Sequence, residues 1–124
     1  MALHSLCVHL GLFKRGRNQQ MEELVNRVQR VVPADAPLII AGDFNDWHNH
    51  GCRLLAQELQ LQEVFVASTG RLARTYPCGF PLLRMDRIYV RGLSVEQAQV
   101  HAHYPWNKIS DHAALSATLV LPAV

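Results

Sequence analysis

Apolar residues recur along this chain in two rhythms, and each change of rhythm marks an element. Residues 3–10 are a short apolar-rich run that reads as a buried strand, and the basic and small residues 11–16 break it as a loop. Across residues 19–32 the apolar positions are Met21, Leu24, Val25, Val28, Val31 and Val32. That spacing of three and four predicts one helical face, with Asn18 as its N-cap. Pro33 and Pro37 end the helix and lead into a strand over residues 38–41. Residues 42–51 form a polar loop, and residues 53–60 predict a second helix that buries Leu54, Leu55 and Leu59. Residues 67–81 are rich in turn formers, with a short strand near Thr75. Residues 85–91, 95–101 and 113–121 read as three further strands. Strand, helix, strand and then several strands predict a mixed α/β sheet.

Length and composition narrow this reading. A chain of 124 residues holds one domain at most, spanning residues 1–124, and can bury a core without covalent staples. An apolar share of 49% with 18% charged residues excludes a disordered chain. The net charge of +2 suits an anionic substrate but is too small to identify nucleic acid. Cys7, Cys52 and Cys78 are odd in number and form no CxxC pair, which argues against a disulfide framework and for a reducing, cytoplasmic setting. No secretory leader is visible, and no stretch approaches the roughly 18 uninterrupted apolar residues of a membrane span.

Polar residues at the strand ends carry the candidate chemistry. Asp43 and Asn45 lie two apart just past a strand, so both can face one pocket. An aspartate there can take a proton from water, and an asparagine amide can donate to a phosphoryl oxygen. Gly-Asp-Phe-Asn is equally a good turn. Asp111 and His112 precede another apolar run, where adjacent side chains point opposite ways and would do different work. The Asp111 carboxylate suits a hard cation such as Mg²⁺, while Ser-Asp-His also suits a simple cap. Asp86 sits in a strand-like segment that disfavours aspartate, so it needs a partner. Orienting His112 would supply one, and an ion pair with Arg84 or Arg87 is the other choice. His9 is a polar intruder at a strand end, compatible with a core histidine. His48, His50 and Cys52, with Asp46 nearby, could chelate zinc, although their spacing matches no common structural zinc pattern.

Taken together, His9-Leu10-Gly11, Gly42-Asp43-Phe44-Asn45, Asp86-Arg87-Ile88 and Ser110-Asp111-His112 are similar in order and approximate spacing to the endonuclease/exonuclease/phosphatase superfamily. That group includes DNase I-like nucleases, apurinic endonucleases, sphingomyelinases and inositol polyphosphate phosphatases, and the resemblance covers residues 3–119. It implies a DNase I-like α/β sandwich, of which this chain is the C-terminal half: one mixed, largely antiparallel sheet with helices on one face. It also implies a metal-dependent phosphoesterase of nuclease or phosphatase type. By the resemblance, Asp43 activates water, Asn45 contacts the scissile phosphate, Asp86 pairs with His112, and His112 binds the phosphate. Asp111 would help hold Mg²⁺ or Mn²⁺. His9 matches the histidine of the DNase I-like and phosphatase branches, where apurinic endonucleases carry tyrosine.

Two parts of the family pattern are not visible: an asparagine on the first strand and a glutamate that is a principal metal ligand. Glu22, Glu23, Glu58 and Glu63 do not match that glutamate, and Cys7 stands where the family commonly has asparagine. Half a sandwich would bare an apolar sheet face, so a second copy or the absent half is expected to cover it. An incomplete ligand set predicts weak metal affinity and slow turnover. The alternative is a non-catalytic half-domain serving as an interaction or self-association module. The expected partner is a phosphate ester, nucleic acid included.

Overall fold

The structure is a computed structural model that describes residues 2–123. Its elements run β1 (His4–His9), α1 (Lys14–Val31), β2 (Leu38–Asp43), α2 (Gly51–Leu59), β3 (Gln62–Glu63), α3 (Val64–Thr69), β4 (Asp86–Arg91), β5 (Ser94–His101), a 3-10 turn (Trp106–Lys108) and β6 (Ala114–Val120). β1, α1 and β2 make a strand–helix–strand crossover, so β1 and β2 pair in parallel. β4 then adds antiparallel to β2, and the two-residue β3 lies on the outer edge of β4, giving the order β1-β2-β4-β3.

The mixed α/β architecture expected from the sequence is present, with its strands and helices distributed differently. β5 and β6 leave the main sheet and form their own antiparallel pair. Helices lie on both faces of the main sheet. On one face, Leu38, Ile40 and Tyr89 pack against Met21, Val25 and Val28 of α1 and Leu55 and Leu59 of α2. On the other, Val90 with Ile39 and Ile88 packs against Val64 and Phe65 of α3 and against Val95, Ala98, Leu115, Ala117 and Leu119 of the β5–β6 pair. This division follows from the period of two along β2 and β4, which sends successive side chains to opposite cores.

Four local expectations are corrected. α1 begins at Lys14 rather than residue 19, its N-cap position is Phe13, and no side chain caps it, so Asn18 lies inside the helix. The inward residue of its first turns is Arg17, which continues the buried series Met21, Val25, Val28. A charged residue at that position hid the start of the apolar face. On α2 the buried series is Cys52, Leu55 and Leu59, while Leu54 is 60% exposed. β1 is an edge strand with one open side rather than a buried one: Leu6 and Val8 face α1, and Ser5, Cys7 and His9 are exposed. Near Thr75 the expected strand is a single bridge between Tyr76 and Leu83. Among the described residues no helix is long and apolar enough to cross a membrane.

Candidate active site

Register alone brings three of the candidate residues to one row. His9 of β1 lies opposite Asp43 of β2, and Asp43 lies opposite Asp86 of β4. Directly paired residues project to the same face, here the face away from α1 and α2. The next rows along that face are Cys7–Ala41–Ile88 and Ser5–Ile39–Val90. The apolar rows continue into the second core, and the polar row ends the sheet.

The backbone around Asp43 is fixed from several sides. Gly42 has φ +143°, and a Cβ there would stand 1.9 Å from the Val8 carbonyl oxygen, so only glycine allows β1 and β2 this close. Leu10 N–H donates to the Asp43 carbonyl (2.8 Å), and Phe44 N–H donates to Met85 O (2.9 Å). The Phe44 ring is fully buried, edge-on to Tyr89 at 5.3 Å. Asn45 adopts φ 50°, its N–H donates to Asp43 Oδ1 (2.9 Å), and its buried Nδ2 donates to Leu10 O (2.7 Å). Asn45 therefore ties the end of β1 to the turn after β2.

His112 arrives from the loop before β6. Ala113 N–H donates to Thr75 O (2.7 Å), and His112 N–H donates to Ser110 Oγ (3.1 Å). Its Nδ1 lies 2.6 Å from Asp86 Oδ2, and its Nε2 lies 3.8 Å from Asp43 Oδ2. His9 Nε2 approaches the same Asp43 oxygen at 3.7 Å from the open side, its side chain 80% exposed. One donor atom from each of Asp43, Asp86 and His112 falls within 4.8 Å of the others. Arg87, offered by the sequence as a partner for Asp86, projects to the opposite face. There its guanidinium donates to Cys52 Sγ and to the carbonyls of Asp46 and Arg84.

This clustering shifts two titrations. Burial raises the Asp43 pKa above its ordinary 3.8; the Asn45 N–H offsets this, the Asp86 charge adds to it, and both imidazoles oppose it. For His112, burial disfavours the proton. The hydrogen bond and charge of Asp86, then the charges of Asp43 and Asp111, outweigh burial and raise the pKa above 6.5.

Asp111 is exposed and stands outside the Asp43–Asp86–His112 group. Its carbonyl accepts from Cys78 N–H (2.6 Å). His48, His50 and Cys52 do not converge, because the Cys52 thiol is buried against Arg87 while both imidazoles are exposed. Burial pushes that thiol up to about 12, which further disfavours it as a ligand.

Thr75 is the member of the site that sequence reasoning missed. It is fully buried, its Oγ1 donates to Asp86 Oδ2 (2.6 Å), and the same oxygen accepts from the N–H groups of Met85 and Asp86. Threonine is ordinary in a strand-like segment, so nothing in the pattern marks it. Asp46 and Arg17 form a second concealed support. Asp46 Oδ2 accepts from Cys52 N–H (2.9 Å) at the start of α2, and Arg17 lies 3.9 Å from Asp46 Oδ1.

Two carboxylates and an imidazole around one small space can bind a hard cation, receive a proton or hold an oxyanion. Comparison with known proteins gives this geometry a context. Residues 3–112 match the Endonuclease/Exonuclease/phosphatase family. YbhP of Escherichia coli is 42% identical over 120 residues, covering 97% of this chain and 47% of that protein. A UPF0294 protein of Vibrio cholerae is 32% identical over 111 residues, covering 87% of this chain and 36% of its own length. The chain thus spans about half the length, or less, of these curated relatives. Among solved structures, a functionally unknown conserved protein of Enterococcus faecalis superposes with a TM-score of 0.77 at 23% identity, over 95% of this chain and 50% of that one. A mannosyl-6-phosphatase of Bacteroides thetaiotaomicron gives a TM-score of 0.73 at 18% identity, over 94% and 51%. D. rerio TDP2 complexed with single strand DNA product gives 0.68 at 17% identity, over 93% and 55%.

Proposed function

The chain belongs to the endonuclease/exonuclease/phosphatase family, and from that premise we propose that Asp43, Asp86 and His112 are the water-activating part of a site that hydrolyses a phosphate ester. The observation that carries this is the orientation of His112: Asp86 holds Nδ1 at 2.6 Å while Nε2 faces the Asp43 carboxylate at 3.8 Å. A carboxylate and the Nε2 edge of an imidazole then border the same space, where water and a phosphoryl group could meet.

In this reading Asp43 accepts the proton of the attacking water, and its raised pKa makes it a better base than an ordinary aspartate. The water oxygen bonds to phosphorus as the ester P–O bond breaks, and the leaving alkoxide takes a proton from solvent. His112, whose proton affinity Asp86 raises, donates from Nε2 to a phosphoryl oxygen as its charge grows. His9 would meet the phosphate from the exposed side. Asn45 uses one amide hydrogen on Leu10, and we assign the other to the phosphate. The oxygen-rich pair Asp43 and Asp86, with Asp111 beside His112, fits a divalent cation such as Mg²⁺ or Mn²⁺. When bound, that cation supplies neutralising charge for the phosphate.

Hydrolysis of chromogenic phosphodiesters and phosphomonoesters, with Mg²⁺ and with chelator, tests the reading. The expected outcome is slow, metal-dependent release of product that falls by roughly a hundredfold or more in Asp43→Asn and in His112→Gln. Rates that survive both substitutions would place the chemistry elsewhere. Comparing diester with monoester, and repeating the assay across salt, separates a nucleic-acid substrate from a small one.

A further inference from the structure

Asp86 and His112 meet across a gap that no strand pairing measures. β4 and β6 belong to different strand groups, so the 2.6 Å between Asp86 Oδ2 and His112 Nδ1 needs another reference. The two side chains are 19% and 26% exposed, and packing alone does not fix them. The terminal torsion of an aspartate is broad. A carboxylate held by one bond at the first position of a strand can therefore turn away.

Thr75 supplies that reference for both partners. It is fully buried, and its N–H donates to Leu83 O (2.8 Å) beside the bridge between Tyr76 and Leu83. Its carbonyl accepts from the N–H of Ala113 (2.7 Å), the residue directly after His112. Its Oγ1 lies 2.6 Å from the same Asp86 oxygen that His112 Nδ1 uses. One residue thus holds the carboxylate by its side chain and the backbone beside the imidazole by its own carbonyl.

The direction of the hydroxyl is set as well. A threonine hydroxyl has one proton and two lone pairs. The N–H groups of Met85 (3.3 Å) and Asp86 (3.2 Å) take the lone pairs, which leaves the proton for Asp86 Oδ2. Two donors on one oxygen restrict the carboxylate to the orientation that receives His112. The Tyr76 ring, 5.1 Å from the imidazole, closes a further side.

We propose that Thr75 is a positioning residue: by locking Asp86 and the backbone after His112, it keeps Nε2 aimed at Asp43, 3.8 Å away, before any substrate arrives. The lock stands on the geometry alone, whereas its use in hydrolysis rests on the phosphoesterase reading above. The test is proton NMR of the intact, metal-free chain at one pH, together with ester hydrolysis. The Nδ1 proton of His112, assigned by its loss in His112→Gln, should resonate far downfield and exchange slowly. It should also show a cross-peak to the Thr75 hydroxyl proton, because both protons point at Asp86 Oδ2. Thr75→Val should broaden or abolish the downfield signal, and Thr75→Ser should restore it. In the hydrolysis assay Thr75→Val should lower kcat roughly tenfold or more with KM little changed, and Thr75→Ser should recover most of that loss.

A wild type without the downfield proton, a signal unchanged in Thr75→Val, or one that Thr75→Ser fails to restore would each overturn the lock. The cross-peak needs no variant, so its presence or absence in the wild type decides the matter if Thr75→Val does not fold. Hydrolysis that Thr75→Val leaves at the wild-type kcat would overturn the positioning role even where the spectrum changes. A wild type that hydrolyses no phosphate ester removes the phosphoesterase reading instead, and the spectra alone then decide the lock.

Discussion

Asp86 is held by a hydroxyl that looks incidental in the sequence. The Thr75 Oγ1 satisfies one carboxylate oxygen and two backbone N–H groups in a space without solvent. Thr75→Val keeps the shape, leaves the Met85 and Asp86 N–H groups without that acceptor and leaves Asp86 Oδ2 to His112 alone, so urea unfolding should show a loss of about 1–3 kcal/mol. Thr75→Ser should recover most of it; equal losses from both would mean that the methyl matters and the hydroxyl does not. The contrast with Asp43, Asp86, His9 and His112 explains what was legible at this scale. Each of those four sets, within or at the end of an apolar run, a group that a strand end does not need, so each stands out. A threonine in an extended segment breaks no rule, and its role exists only once residues 75 and 86 are neighbours. Arg87 was legible in part: it shares the parity of Tyr89 and so belonged on the helix-facing side, away from Asp86.

At the scale of elements, the long periodic segments followed from pattern and the short ones did not. The apolar period marks α1 only from its second turn, because its first inward residue is Arg17. β3 and α3, eight residues in all, have no periodicity to read. Their organiser is Glu63, whose Oε1 accepts from Phe65 N–H (2.7 Å) and Val66 N–H (2.9 Å) at the start of α3, while Oε2 accepts from Ile88 N–H (3.3 Å). Glu63→Ala should therefore cost about 1 kcal/mol or more by denaturant unfolding. The capping carboxylate also has a sign that pH can expose. Burial raises its pKa above 4.5, and its three backbone donors only partly offset this. A group with a raised folded pKa contributes stability that is full below its unfolded value and is lost as pH rises through the folded value. Wild-type stability should thus lose this contribution as pH climbs from 4.5 through the folded pKa, and Glu63→Gln should flatten that part of the profile. An unchanged profile would mean that Glu63 is ionised at no cost.

For the molecule as a whole, the α/β class followed from strand, helix and strand in succession, but the division into two strand groups did not. Which sheet receives β5 and β6 depends on which apolar face needs cover, and local sequence carries no record of that. β1 keeps a free backbone edge, with Ser5, Cys7 and His9 exposed along its open face. Such an edge favours pairing with another chain, so sedimentation velocity should show concentration-dependent self-association; a single monomer boundary at high concentration would contradict this. The same folding event gathers the ends of β2 and β4 and the loop before β6 into one group of two carboxylates and an imidazole. The most direct test of that gathering is a proton NMR titration of the His112 ring in the intact, metal-free chain, assigned with His112→Gln. The midpoint should lie above 6.5 in the wild type and fall in Asp86→Asn, where burial is left with less to oppose it. A midpoint at or below 6.5 that ignores Asp86→Asn would mean that these segments do not meet.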